Sequence, residues 1–135
     1  MLAVRIFLAF TALLWTPYAL FLLIDPAALT EAANVAATSP TGVAELRAMY
    51  GGLQAAVGLL ALAGALRPAV APYALVMLGV ASAGLGVARL GAATIGSAFS
   101  QYTVMALALE LGSLAIVLAL WKRAQPGTSG AAHAA

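Results

Sequence analysis

The sequence predicts an all-α integral membrane protein: a four-helix bundle with a short interfacial helix between its first and second spans. Composition is the first reason, because 64% of the 135 residues are hydrophobic, 7% are charged and the mean hydropathy is +1.06. A soluble domain of this size would have too few charged residues to cover that apolar surface. The second reason is that four apolar segments approach the ~20 residues that a helix needs to cross a bilayer.

The four predicted spans cover residues 3–24, 43–66, 72–95 and 102–121. The apolar core of the first is longer than the hydrophobic region of a signal peptide, and no small-residue cleavage site follows it. We therefore expect this segment to be a retained span. Pro17 lies inside it and predicts a kink, which a membrane helix tolerates.

The connection between the first two spans reads "DPAALTEAANVAATSPTG" and is too short to cross a membrane. Asp25 is a good helix cap, and Pro26 suits the first helical position. The connection therefore predicts a short helix at the membrane interface, ended by a turn at Ser39 and Pro40. Thr41 is then expected to cap the second span.

The placement of Lys and Arg predicts the orientation. The basic residues beside the span ends all fall on one side of a four-span chain: Arg5, Arg67, Lys122 and Arg123. The loop over residues 25–42 carries two acidic residues, and the loop between the third and fourth spans carries no charge. The positive-inside rule therefore predicts a multi-pass protein of a bacterial inner (plasma) membrane with both termini in the cytoplasm. Residues 1–123 form one transmembrane domain, and residues 124–135 are expected to be a disordered cytoplasmic tail.

The residue types exclude several kinds of chemistry. The chain has no cysteine, and His133, in the tail, is its one histidine. These absences argue against thiolate catalysis, haem and zinc in the membrane domain, so we expect no cofactor, no metal, no catalytic residue and no enzyme activity. The net charge of +2 is too small to predict nucleic-acid binding. The expected partners are membrane lipid, a small-molecule or lipid ligand, and a homo-oligomer or larger membrane complex.

The stretch "ELRAMYGGLQ" concentrates polar side chains in the otherwise apolar second span. Arg47, Tyr50 and Gln54 follow the i, i+3, i+7 spacing of one helix face, together with Gly51 and Gly58. The other three spans carry similar polar or small-residue stripes. Four such helices are expected to turn these faces inward and to leave the aliphatic residues to the lipid.

Three charged residues are predicted to share one layer in the outer half of the bundle. At a rise of ~1.5 Å per residue, Arg47, Arg89 and Glu110 lie about 6, 9 and 12 Å below the outer surface. Glu110 most needs a partner, and Arg89 lies at the matching depth on the neighbouring antiparallel span. Arg47 is then expected to face a cavity, where its guanidinium is a ready anchor for a carboxylate or phosphate.

The same residues also permit a purely structural interpretation. Buried Arg–Glu pairs and Gln hydrogen bonds can simply fix helix packing. Both interpretations stay open for the three charged residues and for Tyr50 and Gln54. The small residues are expected to be helix-contact surfaces: Gly51, Gly52, Gly84, Ala88, Ala92 and Gly96.

The segment "TGVAELRAMYGGLQAAVGLLAL" resembles a bacterial family of small four-span membrane proteins of unknown function. Its specific part is the E-L-R-A-x-Y-G-G pattern beginning at Glu45, and the resemblance covers residues 1–123. "ARL" in the third span and "ALE" in the fourth extend it. The resemblance implies an architecture but no activity, cofactor or catalytic residue.

Three functions fit these observations. The first is binding or transport of a small amphipathic or anionic ligand in an outer-half pocket formed by Arg47, Tyr50, Gln54, Arg89 and Glu110. The second is a structural or accessory subunit of a larger membrane complex. The third, a membrane enzyme, is the least favoured, because only Glu110 and Tyr50 remain as acid–base candidates.

Overall fold

A computed structural model describes residues 1–124, which are helical with short connections and contain no strand. Four helices are long and apolar enough to cross a membrane, so the predicted four-helix membrane fold is confirmed. We call them the first to fourth spans: Leu2–Ile24, Pro40–Leu66, Ala71–Gly96 and Gln101–Ala124. A short helix, Ala28–Ala33, lies between the first two. Apart from Ala124, which ends the fourth span, the predicted tail lies outside the described residues.

The two ends of the bundle differ. The terminal end carries the start of the first span, residues 67–70 and the end of the fourth span. The distal end carries residues 25–39 and 97–100. At the distal end Ser39 caps the second span, because its hydroxyl accepts a hydrogen bond from the Gly42 amide at 3.1 Å, and Pro40 occupies the first turn. The expectation that Thr41 is the cap was therefore wrong.

The spans pack as two antiparallel helix pairs. The first span contacts the second along most of its length, and the third contacts the fourth. The second and third spans join the pairs, and the buried hydrophobic core lies in the terminal half. Its members come from all four spans: Val4, Leu8, Ala12, Ala61, Ala65, Ala71, Ala74, Leu75, Leu78, Val117, Leu120 and Ala124.

Glycines set the close approach of the first and second spans. A Cβ on Gly58 would lie 3.0 Å from the Thr16 amide nitrogen, and one on Gly51 would lie 3.2 Å from the Cα of Leu23. Both neighbours are backbone atoms that cannot move aside, so these positions require glycine for this helix spacing. Gly52 meets only the Arg47 carbonyl oxygen of its own helix, at 3.9 Å. The expected glycine contact therefore holds for Gly51 and not for Gly52.

The second span is not a regular α-helix. Its residues Arg47–Leu53 form a π-helical segment between the α-helical Pro40–Leu46 and Gln54–Leu66. A π-helical turn adds one residue to the helix. Because successive residues of an α-helix are about 100° apart, this extra residue rotates the side chains before the turn by about 100° relative to those after it. The stripe drawn from Arg47 to Gln54 at α-helical spacing is therefore broken at this segment.

The connection over residues 25–39 does not take the direct route between two adjacent helices. Asp25 Oδ1 accepts a hydrogen bond from the Ala27 amide at 3.2 Å and closes the turn before the short helix. The short helix then contacts the fourth span, and its Leu29 is fully buried. The connection thus reaches from the first helix pair to the second across the distal end.

Candidate functional site

The predicted pairing of Arg89 with Glu110 is confirmed. Arg89 Nε donates to Oε1 and Oε2 of Glu110 at 3.0 and 3.1 Å, and Nη2 donates to Oε1 at 2.8 Å. Glu110 lies on the face of the fourth span that meets Gly86 of the third, where a Cβ would lie 3.6 Å from the Glu110 Cβ. The small residue lets the carboxylate reach the arginine one turn away on the same helix.

The two partners differ in exposure. The Glu110 side chain is 7% exposed, whereas that of Arg89 is 28% exposed. Glu110 has both carboxylate oxygens occupied by one guanidinium edge, and the described residues offer no hydrogen-bond acceptor to the remaining nitrogen, Arg89 Nη1. The pair is therefore electrically neutral, and Arg89 Nη1 can still donate hydrogen bonds to a group other than Glu110.

Three tyrosines gather around this pair. The Arg89 Cζ lies 5.8 Å from the ring centroid of Tyr102, a cation–π distance. Tyr18 and Tyr50 also lie within electrostatic range of the Arg89 guanidinium. Each of the four spans thus contributes to one polar layer in the distal half, about 9–15 Å from the distal helix ends at ~1.5 Å per residue, with Tyr102 nearer the end.

Arg89 also lines a shallow cavity of about 350 Å³, largely open to the surface, at the distal end of the third and fourth spans. The other lining residues are small or apolar, apart from one hydroxyl: Leu85, Ala88, Ala92, Ala93, Ala98 and Thr103. Glu110 is not among them. A molecule in this cavity would meet the arginine and an apolar wall, but not the carboxylate.

The structure does not bring all five predicted site residues together. Tyr50 joins Arg89 and Glu110 in the polar layer. Arg47 is exposed, and its Nη2 lies 3.5 Å from the carbonyl oxygen of Ile24, the last residue of the first span. It therefore contributes a cation to that helix C-terminus rather than to the cavity. The break in helical register at the π segment is the physical reason.

Gln54 occupies the first position after the π segment. Its Oε1 is buried and accepts no hydrogen bond from the residues that the structure describes. It is not among the cavity-lining residues. The structure therefore places Gln54 inside the second span's packed face, apart from the cavity.

Three residues of this region were not among the predicted site residues, although Tyr18 and Thr103 belong to the polar stripes predicted for the first and fourth spans. Tyr18 and Tyr102 approach Arg89 from the first and fourth spans, and Thr103 lines the cavity. Depth gives a partial signal, because Tyr18 lies six positions before the distal end of its span, close to the depth of Arg89. The signal is weak because aromatic residues are common in membrane helices.

The row of small residues on the third span makes no contact with another helix of the described residues. A Cβ on Gly84 would have no neighbour within 4 Å, and one on Gly96 would meet only Ala98. Ala88 and Ala92 are exposed and line the cavity. Within the bundle this row is therefore a cavity wall and an open surface, and the predicted helix contact is not formed by the four spans themselves.

The described residues contain no group of three side chains suited to a metal ion. A family model described as "Domain of unknown function (DUF4345)" matches residues 3–121. The chain belongs to this family. No curated protein and no solved structure matches the chain. The family description carries no activity, so any function has to be argued from the polar layer and the cavity.

Proposed function

We propose that this multi-pass membrane protein binds an amphipathic molecule in the distal cavity, with the polar head at Arg89 and the hydrocarbon chain along the alanine wall. The observation that carries the proposal is the Arg89 side chain, which is 28% exposed and lines a cavity whose other walls are almost entirely apolar. Such a combination of apolar walls and a few convergent polar groups is typical of small-molecule sites.

The cavity fits the dimensions of such a ligand. A volume of about 350 Å³ lies at the lower end of the range of small-molecule pockets, roughly 300–1,000 Å³. Arg89 Nη1 and the Thr103 hydroxyl can donate hydrogen bonds to oxygen atoms of a head group. Lipid is the immediate source of such molecules, because the surrounding helix surface is aliphatic and lies at bilayer depth.

A pair of alanine substitutions tests the proposal. Ala92→Phe places a ring in the cavity beside Arg89 and removes no polar group of the Arg89–Glu110 pair. Ala108→Phe adds the same ring at an exposed position on the fourth span outside the cavity lining, and serves as the control. Binding of a tritiated long-chain alkanol to protein in nanodiscs, and co-purified lipid by mass spectrometry, would be measured for wild type and both variants.

The expected result is that Ala92→Phe loses at least tenfold in alkanol affinity while Ala108→Phe stays within twofold of wild type, since a filled cavity excludes the chain. Arg47→Lys should also bind as wild type, because Arg47 lies at the helix end and not in the cavity. Equal binding by the two phenylalanine variants, or no specific binding by wild type, would remove the proposal.

A subunit role in a larger membrane assembly is the second candidate, and one observation favours it. Gly84 and Gly91 of the third span have open space where a Cβ would stand, so another membrane helix could approach there closely. The mass of the wild-type particle in mild detergent would be compared with that of Gly84→Leu. A larger wild-type particle that dissociates in the variant supports this candidate, and a monomeric wild type counts against it.

A further inference from the structure

We propose that binding of an anionic amphipath in the distal cavity is coupled to uptake of one proton at Glu110. The inference rests on the proposed function and deepens it, because it names the conditions under which an acid head group, rather than a neutral one, is accepted. It follows from two observations: the charges of the polar layer, and the exposure of Arg89 but not of Glu110 to the cavity.

The charge of the layer is already balanced. Arg89 supplies one positive charge and Glu110 one negative charge, and they form three hydrogen bonds to each other. The remaining groups facing the pair are the tyrosines of the first, second and fourth spans, Tyr18, Tyr50 and Tyr102. The protonated phenol of a tyrosine carries no charge. A neutral head group can therefore bind to Arg89 Nη1 with no change in net charge.

An anionic head group disturbs this balance. It would reach Arg89 from the cavity, where Glu110 is not exposed, and would share one guanidinium with the buried carboxylate. Two negative charges on one cation at membrane depth leave one charge uncompensated, and an unpaired charge is strongly disfavoured there. Arg47 of the second span cannot supply the missing positive charge, because it lies at the Ile24 carbonyl and not in the cavity.

Protonation of Glu110 restores neutrality. The like charge of the bound anion favours the neutral carboxylic acid, and a proton from solvent adds to one Glu110 oxygen. The guanidinium then pairs with the ligand anion, while the protonated carboxyl can still accept from Arg89 through its other oxygen. One proton is bound for each anion, so the complex has the same net charge as the empty protein.

The test compares two probes that do not titrate themselves. A long-chain alkyl sulfonate stays ionised, and the alkanol of the same chain length stays neutral, between pH about 5.5 and about 8. Affinity for the sulfonate should rise as the pH falls, with a slope approaching tenfold per pH unit for one proton, about 1.36 kcal/mol. Affinity for the alkanol should be independent of pH.

Two variants identify the titrating group. Glu110→Gln fixes the neutral state, so its sulfonate affinity should lose the pH slope and should stay close to the value that wild type reaches at low pH. His133→Gln removes the chain's one histidine and should keep the wild-type slope. A slope that persists in Glu110→Gln, or disappears in His133→Gln, overturns the assignment.

Proton uptake by the wild-type protein gives a readout that does not depend on any variant folding. Addition of the sulfonate to protein in weakly buffered nanodiscs containing a pH indicator should remove close to one proton per bound ligand near pH 7, and the alkanol should remove none. Binding of both probes with no proton uptake and no pH slope overturns the coupling but leaves the proposed function standing. Binding of neither probe overturns the proposed function itself.

Discussion

At the scale of single residues, the Arg89–Glu110 pair governs the polar layer. Glu110 is nearly fully buried, and both of its carboxylate oxygens accept hydrogen bonds from Arg89. Removal of either side chain therefore leaves the other without its partner. Breaking a buried pair by removing one partner is more damaging than replacing both partners with apolar groups. The pair is thus a strong local constraint on how the third and fourth spans face each other.

Removal of the carboxylate should show this asymmetry. Glu110→Ala should lower the free energy of unfolding by about 3 kcal/mol, the lower end of the range for a broken buried pair, because the partly exposed Arg89 can turn toward the cavity. Adding Arg89→Leu should recover part of the loss. Thermal unfolding in detergent measures both effects.

Glu45→Ala is the matched control, since Glu45 is exposed and carries the same charge. It should leave the unfolding temperature nearly unchanged. A double variant no more stable than Glu110→Ala alone would mean that the cost does not come from an unpaired Arg89.

At the scale of helices, glycine positions divide into those that set helix spacing and those that face open space. Gly51 and Gly58 are seven residues apart and meet Leu23 and Thr16, which are also seven residues apart on the first span. The antiparallel match of these two spacings makes one continuous contact. Arg5 completes it at the terminal end, where its Nε donates to the Ala65 carbonyl oxygen at 2.8 Å near the C-terminus of the second span.

A matched pair of glycine substitutions tests this division. Gly58→Ala should destabilise the protein by about 1–3 kcal/mol, because the new methyl group meets Thr16 backbone atoms. Gly84→Ala should be neutral or stabilising by up to about 1 kcal/mol, since it gains helix propensity and meets nothing. Unfolding temperatures in one detergent would be compared, and equal effects would contradict the helix spacing described here.

The short helix is a separate local unit held by one side chain. Leu29 is fully buried where the connection crosses toward the fourth span, so Leu29→Ala should release residues 28–33 without unfolding the bundle. Amide hydrogen exchange should rise at least tenfold in this segment, with little change in the spans. Glu31→Ala, at an exposed position of the same helix, should not have this effect, and a similar rise in both variants would count against the Leu29 contact.

Helix number and the Arg89–Glu110 pair could be predicted because both follow from residue positions counted along each helix. Hydropathy reveals the spans, and depth along two antiparallel neighbours matches the charges. The place of Arg47 could not be predicted, since nothing in "RAMYGG" announces a π segment and the α-helical period was extended through it. The role of Gly84 and Ala92 was missed for another reason: small residues look alike whether they face a helix or a cavity.

At the scale of the whole molecule, the two halves of the bundle differ in the residues that they hold. The buried core lies in the terminal half, whereas the distal half holds the charged pair, the tyrosines and the cavity. This division suits a protein whose terminal half keeps the four spans together while its distal half meets a ligand.

The charges at the two ends predict how the molecule sits in its membrane. The terminal end carries only basic residues: Arg5, Arg67, Lys122 and Arg123. The distal end and the first two turns of the second span carry three acidic residues and one basic residue: Asp25, Glu31, Glu45 and Arg47. By the positive-inside rule the terminal end should face the cytoplasm, which would open the cavity toward the outer leaflet.

Single cysteines can test this orientation cleanly, because the chain has no cysteine of its own. Ala32→Cys lies in the short distal helix and Ala69→Cys in the terminal link, and both positions are exposed. A membrane-impermeant maleimide added to intact cells (spheroplasts, if an outer envelope blocks it) should label Ala32→Cys fully and label Ala69→Cys only after the membrane is permeabilised. The reverse pattern would place the cavity in the cytoplasmic leaflet. Labelling of both sites in intact cells would contradict a bundle of four membrane-crossing helices, because the second span lies between the two sites and must place them on opposite sides of the membrane.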